Sequence, residues 1–276
     1  MTPRVSVVVP AYNNADYIAE TIDSILGQTF EDFELIIADH SSSDGTLAAL
    51  APYADDPRVT ILNTPAGGGA KANWDRVSQA ANGDLLKLVC GDDTIFPTCL
   101  AEQVAAFDEH PETVLVASQR TLVDAAGKTV LAARGLAGLS GPVSGRVAAR
   151  RAVTAGANIF GEPGCVLMRR AVLEKIGWWD DANPYLIDEA TYVGVALHGD
   201  VVAIPRPLAS FRINAGQWSV RLARQQASQA AAFHEALRAA EPGLLSAMDV
   251  RIGNAKALGT SFMRRAVYMV LKRRMG

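Results

Sequence analysis

The sequence predicts an α/β fold: a mostly parallel sheet flanked by helices, with a helical C-terminal extension. Three observations lead there. Short, nearly continuous apolar runs recur at Val5–Val9, Leu35–Ala38 and Leu85–Cys90, as expected of strands buried on both faces. Segments with apolar residues at helical spacing separate them. Each run ends in polar residues (Asn13, Asp39, and the pair Asp92 and Asp93), and open α/β sheets bind ligands beyond the carboxyl ends of their strands.

After the first strand, Ile18, Ile22, Ile25 and Leu26 share one face and predict a helix. A strand over 34–38 follows, then a polar turn in which Ser43 or Asp44 caps a short helix through Leu47 and Leu50. Val59–Leu62 reads as a short strand and Gly67–Gly69 as a flexible loop. A helix over 70–81 is stopped by Gly83 and Asp84, and the strand 85–90 leads to the acidic pair. A helix over 97–110 and a strand over 113–118 complete the alternation. The stretch 125–157 is rich in Gly and Ala and poor in large apolar residues, which predicts a long loop with a short helix. A second block, Gly161–Asn214, carries strand signals at 164–168 and 201–204. Residues 219–240 and 255–274 read as helices. The organisation expected is one domain over 1–215 and a helical extension over 216–276.

The 276 residues carry a net charge of −3, which gives no overall pull toward nucleic acid. The charge is uneven: from Asp249 to Gly276 seven Lys and Arg stand against one Asp, leaving the preceding chain at −9. Cys90, Cys99 and Cys165 are widely spaced in apolar surroundings. They read as buried thiols in a reducing compartment, without disulfide or zinc spacing. The N-terminus leads straight into a strand, and no apolar run is long enough to span a bilayer, so a soluble, cytoplasmic protein is expected. The tail Met263–Arg274 is apolar in the middle and cationic at both ends. That composition suits either peripheral contact with an anionic membrane surface or a packed terminal helix.

The chemistry centres on Gly91-Asp92-Asp93. Two adjacent carboxylates beyond a buried strand are costly unless a positive charge meets them. The usual partner is a hard divalent cation that in turn grips phosphate oxygens. Pro10-Ala11-Tyr12-Asn13 makes a tight exit from the first strand, where Tyr12 can stack on a nucleobase or simply sit on the surface. Asp44 is expected to cap the next helix. Trp178 and Trp179 suit either a sugar face or the core, and Trp218 either a lid or the core. His40, His110, His198 and His234 lack metal-ligand spacing.

Taken in order, Val5–Asn13, Asp39–Thr46, Gly91-Asp92-Asp93 with Pro97, Tyr185–Asp188 and Ile204–Asn214 resemble the signature of family 2 glycosyltransferases of the Rossmann-like GT-A fold. The resemblance covers about three quarters of the chain, residues 4 to 215. It implies an inverting, metal-dependent transfer of a hexosyl or deoxyhexosyl group from a nucleotide-diphosphate sugar to a glycan or lipid-linked acceptor in cell-surface polysaccharide synthesis.

The resemblance also implies the site. Pro10, Ala11, Tyr12 and Asn13 would line the nucleotide, and Asp39 would accept from the imide N–H of uracil or thymine, favouring UDP or dTDP. Asp92 would bond the ribose, and Asp93 would bind Mg²⁺ or Mn²⁺. Lys71 stands where the family often has an Arg near the nucleotide, with a solvent-facing lysine as the alternative. Arg212 would pair with the diphosphate. Asp188 would be the catalytic base, with Glu189 as its rival. Departures are Cys90 for the leading Asp of the acidic motif, Gly194 for an Arg, and Asn214 for a closing His. These keep open a catalytically silent sugar-nucleotide or glycan-binding protein of the same fold. A nucleotidyltransferase ranks lower, because no Gly-rich basic loop follows the first strand.

Overall fold

The computed structural model describes residues 2–214 and 225–271, with side chains described as far as residue 264. Ten strands form one sheet in the order β3-β2-β1-β4-β9-β6-β10-β5, with β7 on β6 and β8 on β10. The parallel part is built from β1 (Val5–Ala11), β2 (Phe33–Asp39), β3 (Val59–Asn63) and β4 (Leu85–Leu88). All seven residues of β1 are buried, as its apolar sequence, broken by Ser6 alone, requires of a strand covered on both faces. Register Ala11↔Asp39 brings the ends of β1 and β2 level, and Val8↔Leu88 brings β4 beside them.

Beyond β4 the sheet is mixed. The strand β9 (Val166–Arg169) runs antiparallel to β4 and to β6 (Thr113–Asp124). The strand β10 (Asp200–Ile213) runs parallel to β6 and antiparallel to the two-residue β5 (Thr94–Ile95) just after the acidic pair. Register shifts at Ile204, Pro207 and Ala209 accommodate Pro205 and Pro207, which cannot donate to a ladder.

The helices α1 (Ile18–Leu26), α2 (Thr46–Leu50), α3 (Gly69–Gln79) and α4 (Cys99–Glu109) fall where periodicity places them. The stretch 125–157 is more ordered than its composition suggests. It forms β7 (Thr129–Arg134), β8 (Gly141–Ser144) and an eleven-residue helix, α5 (Gly145–Ala155). The strand β7 is largely exposed, so it lacks apolar alternation. In α5 the small residues serve close packing: a Cβ at Gly145 would lie 1.7 Å from the Ala196 carbonyl oxygen, at the end of α7 (Ile187–Ala196). A short helix, α6 (Arg170–Lys175), precedes α7.

The C-terminal helices α8 (Gln226–Ala240) and α9 (Ala247–Leu271) join the same core, through Phe233, Leu237, Leu244, Leu245, Val250 and Ala257. The helix α9 starts eight residues earlier than its apolar pattern predicts. Ser246 and Asp249 form a reciprocal cap there, the Ser246 N–H donating to Asp249 Oδ2 (2.9 Å) and the Asp249 N–H to Ser246 Oγ (3.1 Å). The three cysteines are free. Trp218 lies outside the described residues.

Candidate active site

A cavity of about 400 Å³ opens at the carboxyl ends of β1 and β4 and runs to α8 and α9. Of the residues singled out in the sequence, it gathers Tyr12, Asn13, Asp92, Asp93, Asp188 and Glu189. Pro10, Ala11, Asp39, Lys71 and Arg212 do not line it; the first two are buried in β1, and the other three are held by bonds of their own.

The ends of β1 and β2 are laced together. The Asn13 N–H donates to Ser42 Oγ (2.9 Å), Ser42 Oγ–H donates to Asp39 Oδ1 (2.6 Å), and the Ser43 N–H donates to Asn13 Oδ1 (2.9 Å). Asn13 adopts φ of 52°, a left-handed conformation that Asn tolerates. Tyr12 is thereby held out, 55% exposed, edge-on over the buried His40. Asp44 accepts from the N–H of Thr46 (2.9 Å) at the start of α2, the capping role expected of it.

On α3, Ala70 and Trp74 face the cavity one turn apart. Lys71 is rotated off that face and pairs with Asp75. Trp74 is braced by Trp179 (ring centroids 4.8 Å apart, 79° between planes), whose Nε1–H donates to Ser78 Oγ (2.9 Å) in the core. Among the described tryptophans it is Trp74 that lines the cavity, not Trp178 or Trp179. The four-residue spacing of Ala70 and Trp74 was the available signal.

The acidic pair is built by β10 as much as by β4. The Arg212 N–H donates to Asp93 Oδ1 (2.9 Å), its Nε to the Asp92 carbonyl (2.9 Å), and Nη1 to the Ala125 carbonyl (3.1 Å). Nη2 pairs with Glu20 (2.6 Å), and the guanidinium sits 4.7 Å from the centre of the Tyr17 ring. Arg212 is only 2% exposed and fastens the acidic turn to α1 and to the loop at Ala125. Asn214 donates to Asp92 Oδ2 (2.7 Å) in the place where the family's His was expected.

Burial and the Asp92 charge push the Asp93 carboxyl well above the usual carboxylate range. Burial and the two carboxylates hold Cys90 as a thiol, so the motif has two acids rather than three. Among the described residues no group of three His, Cys, Asp or Glu gathers to cage a metal. A buried, mutually repelling carboxylate pair on a cavity still fits Mg²⁺ or Mn²⁺. Such ions take one or two protein carboxylates and complete their shell with water and phosphate oxygens. Asp93, with Asp92 beside it, are the residues that could hold one.

Across the cavity, Asp188 begins α7. Its Oδ1 accepts from the Glu189 N–H (2.8 Å) and its Oδ2 from Asn158 Nδ2 (2.9 Å). Asn158 is itself fixed: Oδ1 accepts from the N–H groups of Phe160 (3.0 Å) and Gly161 (3.2 Å), and Nδ2 also donates to the Gly161 carbonyl (2.9 Å). Glu162 follows on the cavity wall and pairs with Arg120, which is 4% exposed. Burial and the Glu162 charge push the Asp188 carboxyl up to about 7. Glu189 is 2% exposed, its Oε1 has no hydrogen-bond partner, and burial with the Asp188 charge pushes it up to about 8. The arrangement offers a half-buried carboxylate, oriented by two donors and tuned near neutrality, as a proton acceptor. Asn158 and Glu162 were missed in the sequence because nothing local links them to Asp188, thirty and twenty-six positions on.

Comparison with known proteins bears on this site. The model of glycosyl transferase family 2 matches residues 6–177. The chain is 40% identical over 105 residues to the chondroitin synthase of Pasteurella multocida, covering 36% of this chain and 11% of that protein. It is 34% identical over 117 residues to the poly(ribitol-phosphate) β-N-acetylglucosaminyltransferase TarS of Staphylococcus aureus, covering 41% of this chain and 20% of that protein. The crystal structure of S. aureus TarS 1–349 in complex with UDP-GlcNAc superposes with a TM-score of 0.71 at 18% identity. That likeness of fold covers 94% of this chain and 72% of that one. The chain spans about a tenth and a fifth of the length of these two curated relatives.

Proposed function

The chain belongs to glycosyl transferase family 2 and has the GT-A fold, and from that premise we propose that it moves a sugar from a nucleoside diphosphate to an acceptor hydroxyl, with inversion. The observation that carries the reading is one cavity holding the acidic pair on one side and Asp188 on the other. An acceptor hydroxyl has a pKa far above 7, so a base must take its proton as its oxygen bonds the anomeric carbon. Asp188 suits that task better than Glu189. It is less buried, and both its oxygens are oriented by donors, whereas Glu189 is only 2% exposed and its Oε1 is oriented by none. As the new bond forms, the bond from the anomeric carbon to the diphosphate breaks, and the nucleoside diphosphate leaves.

A divalent ion held by Asp93 beside Asp92 would supply positive charge for that leaving group. Tyr12 and Asn13 bound the nucleoside end, with Tyr12 free to stack on the base. Asp39, behind the Ser42 bridge, is the residue for reading uracil or thymine. The UDP-GlcNAc held by TarS in its complex is in keeping with that preference. Arg212 acts through the acidic turn it fastens, and Lys71 through its pair with Asp75. One relative is named as a chondroitin synthase and the other as a β-N-acetylglucosaminyltransferase of poly(ribitol-phosphate), which supports an acceptor in cell-surface polysaccharide synthesis.

The test is a thermal-shift screen of nucleoside diphosphates with and without Mn²⁺, followed by turnover of Asp188→Asn. Saturation at about 100 times Kd stabilises a fold by about 2.7 kcal/mol, a rise of roughly 5 °C for a chain of this size. Stabilisation by UDP or dTDP with Mn²⁺, and loss of transfer without loss of that shift in Asp188→Asn, are the outcomes expected. A full metal-independent shift would remove the ion from the reading. Transfer that survives Asp188→Asn would remove the base.

A further inference from the structure

The helix α9 is apolar on two sides. Toward the protein, Val250, Gly253, Ala257 and Ser261 are buried, and Ala257, Thr260, Ser261 and Arg264 form one wall of the cavity. Away from it, Met248, Ile252, Leu258, Phe262 and Met263 are 59%, 40%, 50%, 60% and 53% exposed. At about 100° per residue these five fall within an arc of about 140°, opposite the buried face. They make up five of the nine large exposed apolar side chains among the described residues. Scattered exposed apolar groups are ordinary, but a continuous stripe along one helix is the mark of a surface with a partner.

Charge selects the partner. Arg251, inside that arc, and Lys256, just past its edge, are exposed, and the sequence from Asp249 to Gly276 carries seven Lys and Arg against one Asp. Two copies of this face would bring like charges together. An anionic lipid surface would meet cationic side chains along its headgroups and apolar ones below them. Among the described residues no helix is long and apolar enough to cross a membrane, so contact would be lateral.

We propose that the outer face of α9, from Met248 to Met263, docks on an anionic bilayer. The stripe begins fifteen residues before the tail Met263–Arg274 considered from the sequence, most of which lies outside the described side chains. The helix that docks on lipid also walls the cavity with its inner face, so the acceptor end lies about one helix diameter, roughly 10 Å, from the headgroups, within reach of an acceptor carried on a lipid. That consequence for the acceptor rests on the transferase reading; the docking surface does not.

The test is flotation of the full chain with phosphatidylcholine vesicles, with and without phosphatidylglycerol, at low and high salt. Co-flotation with the anionic vesicles, weakened by salt, is expected. Met248→Glu, Ile252→Glu and Leu258→Glu should each lower the partition coefficient by about tenfold, with melting temperatures unchanged because the positions are exposed. Absence of flotation, or flotation indifferent to these substitutions, overturns the proposal. So does a concentration-dependent dimer that the same substitutions abolish, which would make a second copy the occupant. Flotation without any nucleotide shift would retain the docking surface and discard the transferase reading.

Discussion

Asp188 is held between two neighbours that pull its proton affinity in opposite directions. Burial raises it most, the Glu162 carboxylate raises it further, and the bonds from the Glu189 N–H and Asn158 lower it. Arg120, Glu189, Tyr192 and Cys90 also lie within electrostatic reach. If Asp188 is the base, kcat/KM should rise with pH along a limb centred near 7, since only the carboxylate accepts a proton. Glu162→Gln removes the opposing charge and leaves that of Arg120, so the limb should move to lower pH. Asn158→Ala removes a donor to the charged form, so the limb should move up and kcat should fall. A pH–rate profile of the three proteins decides it. Shifts in the same direction, or none, would mean that neither residue tunes Asp188.

Between elements, α9 meets α5 through glycine. A Cβ at Gly253 would lie 2.3 Å from the Val153 carbonyl oxygen, and one at Gly156 would lie 2.5 Å from the Ala257 nitrogen. Gly156 also needs its φ of 65° to end α5. Arg150 and Asp249 tie the same two helices together (3.0 Å). Gly253→Val should therefore push α9 outward, at roughly the 1–3 kcal/mol typical of an overpacked contact. Because α9 walls the end of the cavity away from the nucleotide, KM for the acceptor should rise more than KM for the donor. Urea melts and the two KM values test this together; an equal rise in both would place the effect on the whole site. Gly145 makes the comparable close approach between α5 and α7.

For the molecule as a whole, the buried acids set a pH dependence of stability. Asp188 and Glu189 are pushed up from ordinary values of 3.8 and 4.5 to about 7 and about 8. Between those limits the folded state binds more protons than the unfolded one, so stability falls as pH rises. Their contribution is fully present below about pH 4 and is lost as pH passes through about 7 to 8. Glu189→Gln, which mimics the protonated form, should match the wild type in melting temperature at pH 5 and exceed it at pH 8.5. An advantage already present at pH 5 would mean that packing, not ionisation, is responsible.

The sequence by itself determined the parallel half of the sheet and the polar ends of its strands. Nearly continuous apolar runs such as Val5–Val9 and Leu85–Val89, each broken by a single polar residue, bury both faces, and this is a local property of composition. It also determined that Asp92, Asp93 and Asp188 belong to one site, through the order of motifs that resembles a known family. The tertiary structure alone decided which side chains face the cavity. On α3 it turns Trp74 inward and Lys71 aside, and bonds to Asp92 and Asp93, to Ala125 and to Glu20 draw Arg212 into the acidic turn. Asn158 and Glu162 reach Asp188 only through the fold. The stretch 125–157 was legible as a loop with a short helix, but its strands β7 and β8 were not, and the small residues of α5 serve close packing, a reason written in its neighbours α7 and α9. Hydrophobic periodicity is carried by the chain itself, whereas orientation and charge neighbours depend on residues far away in sequence, so only the packed structure fixes them.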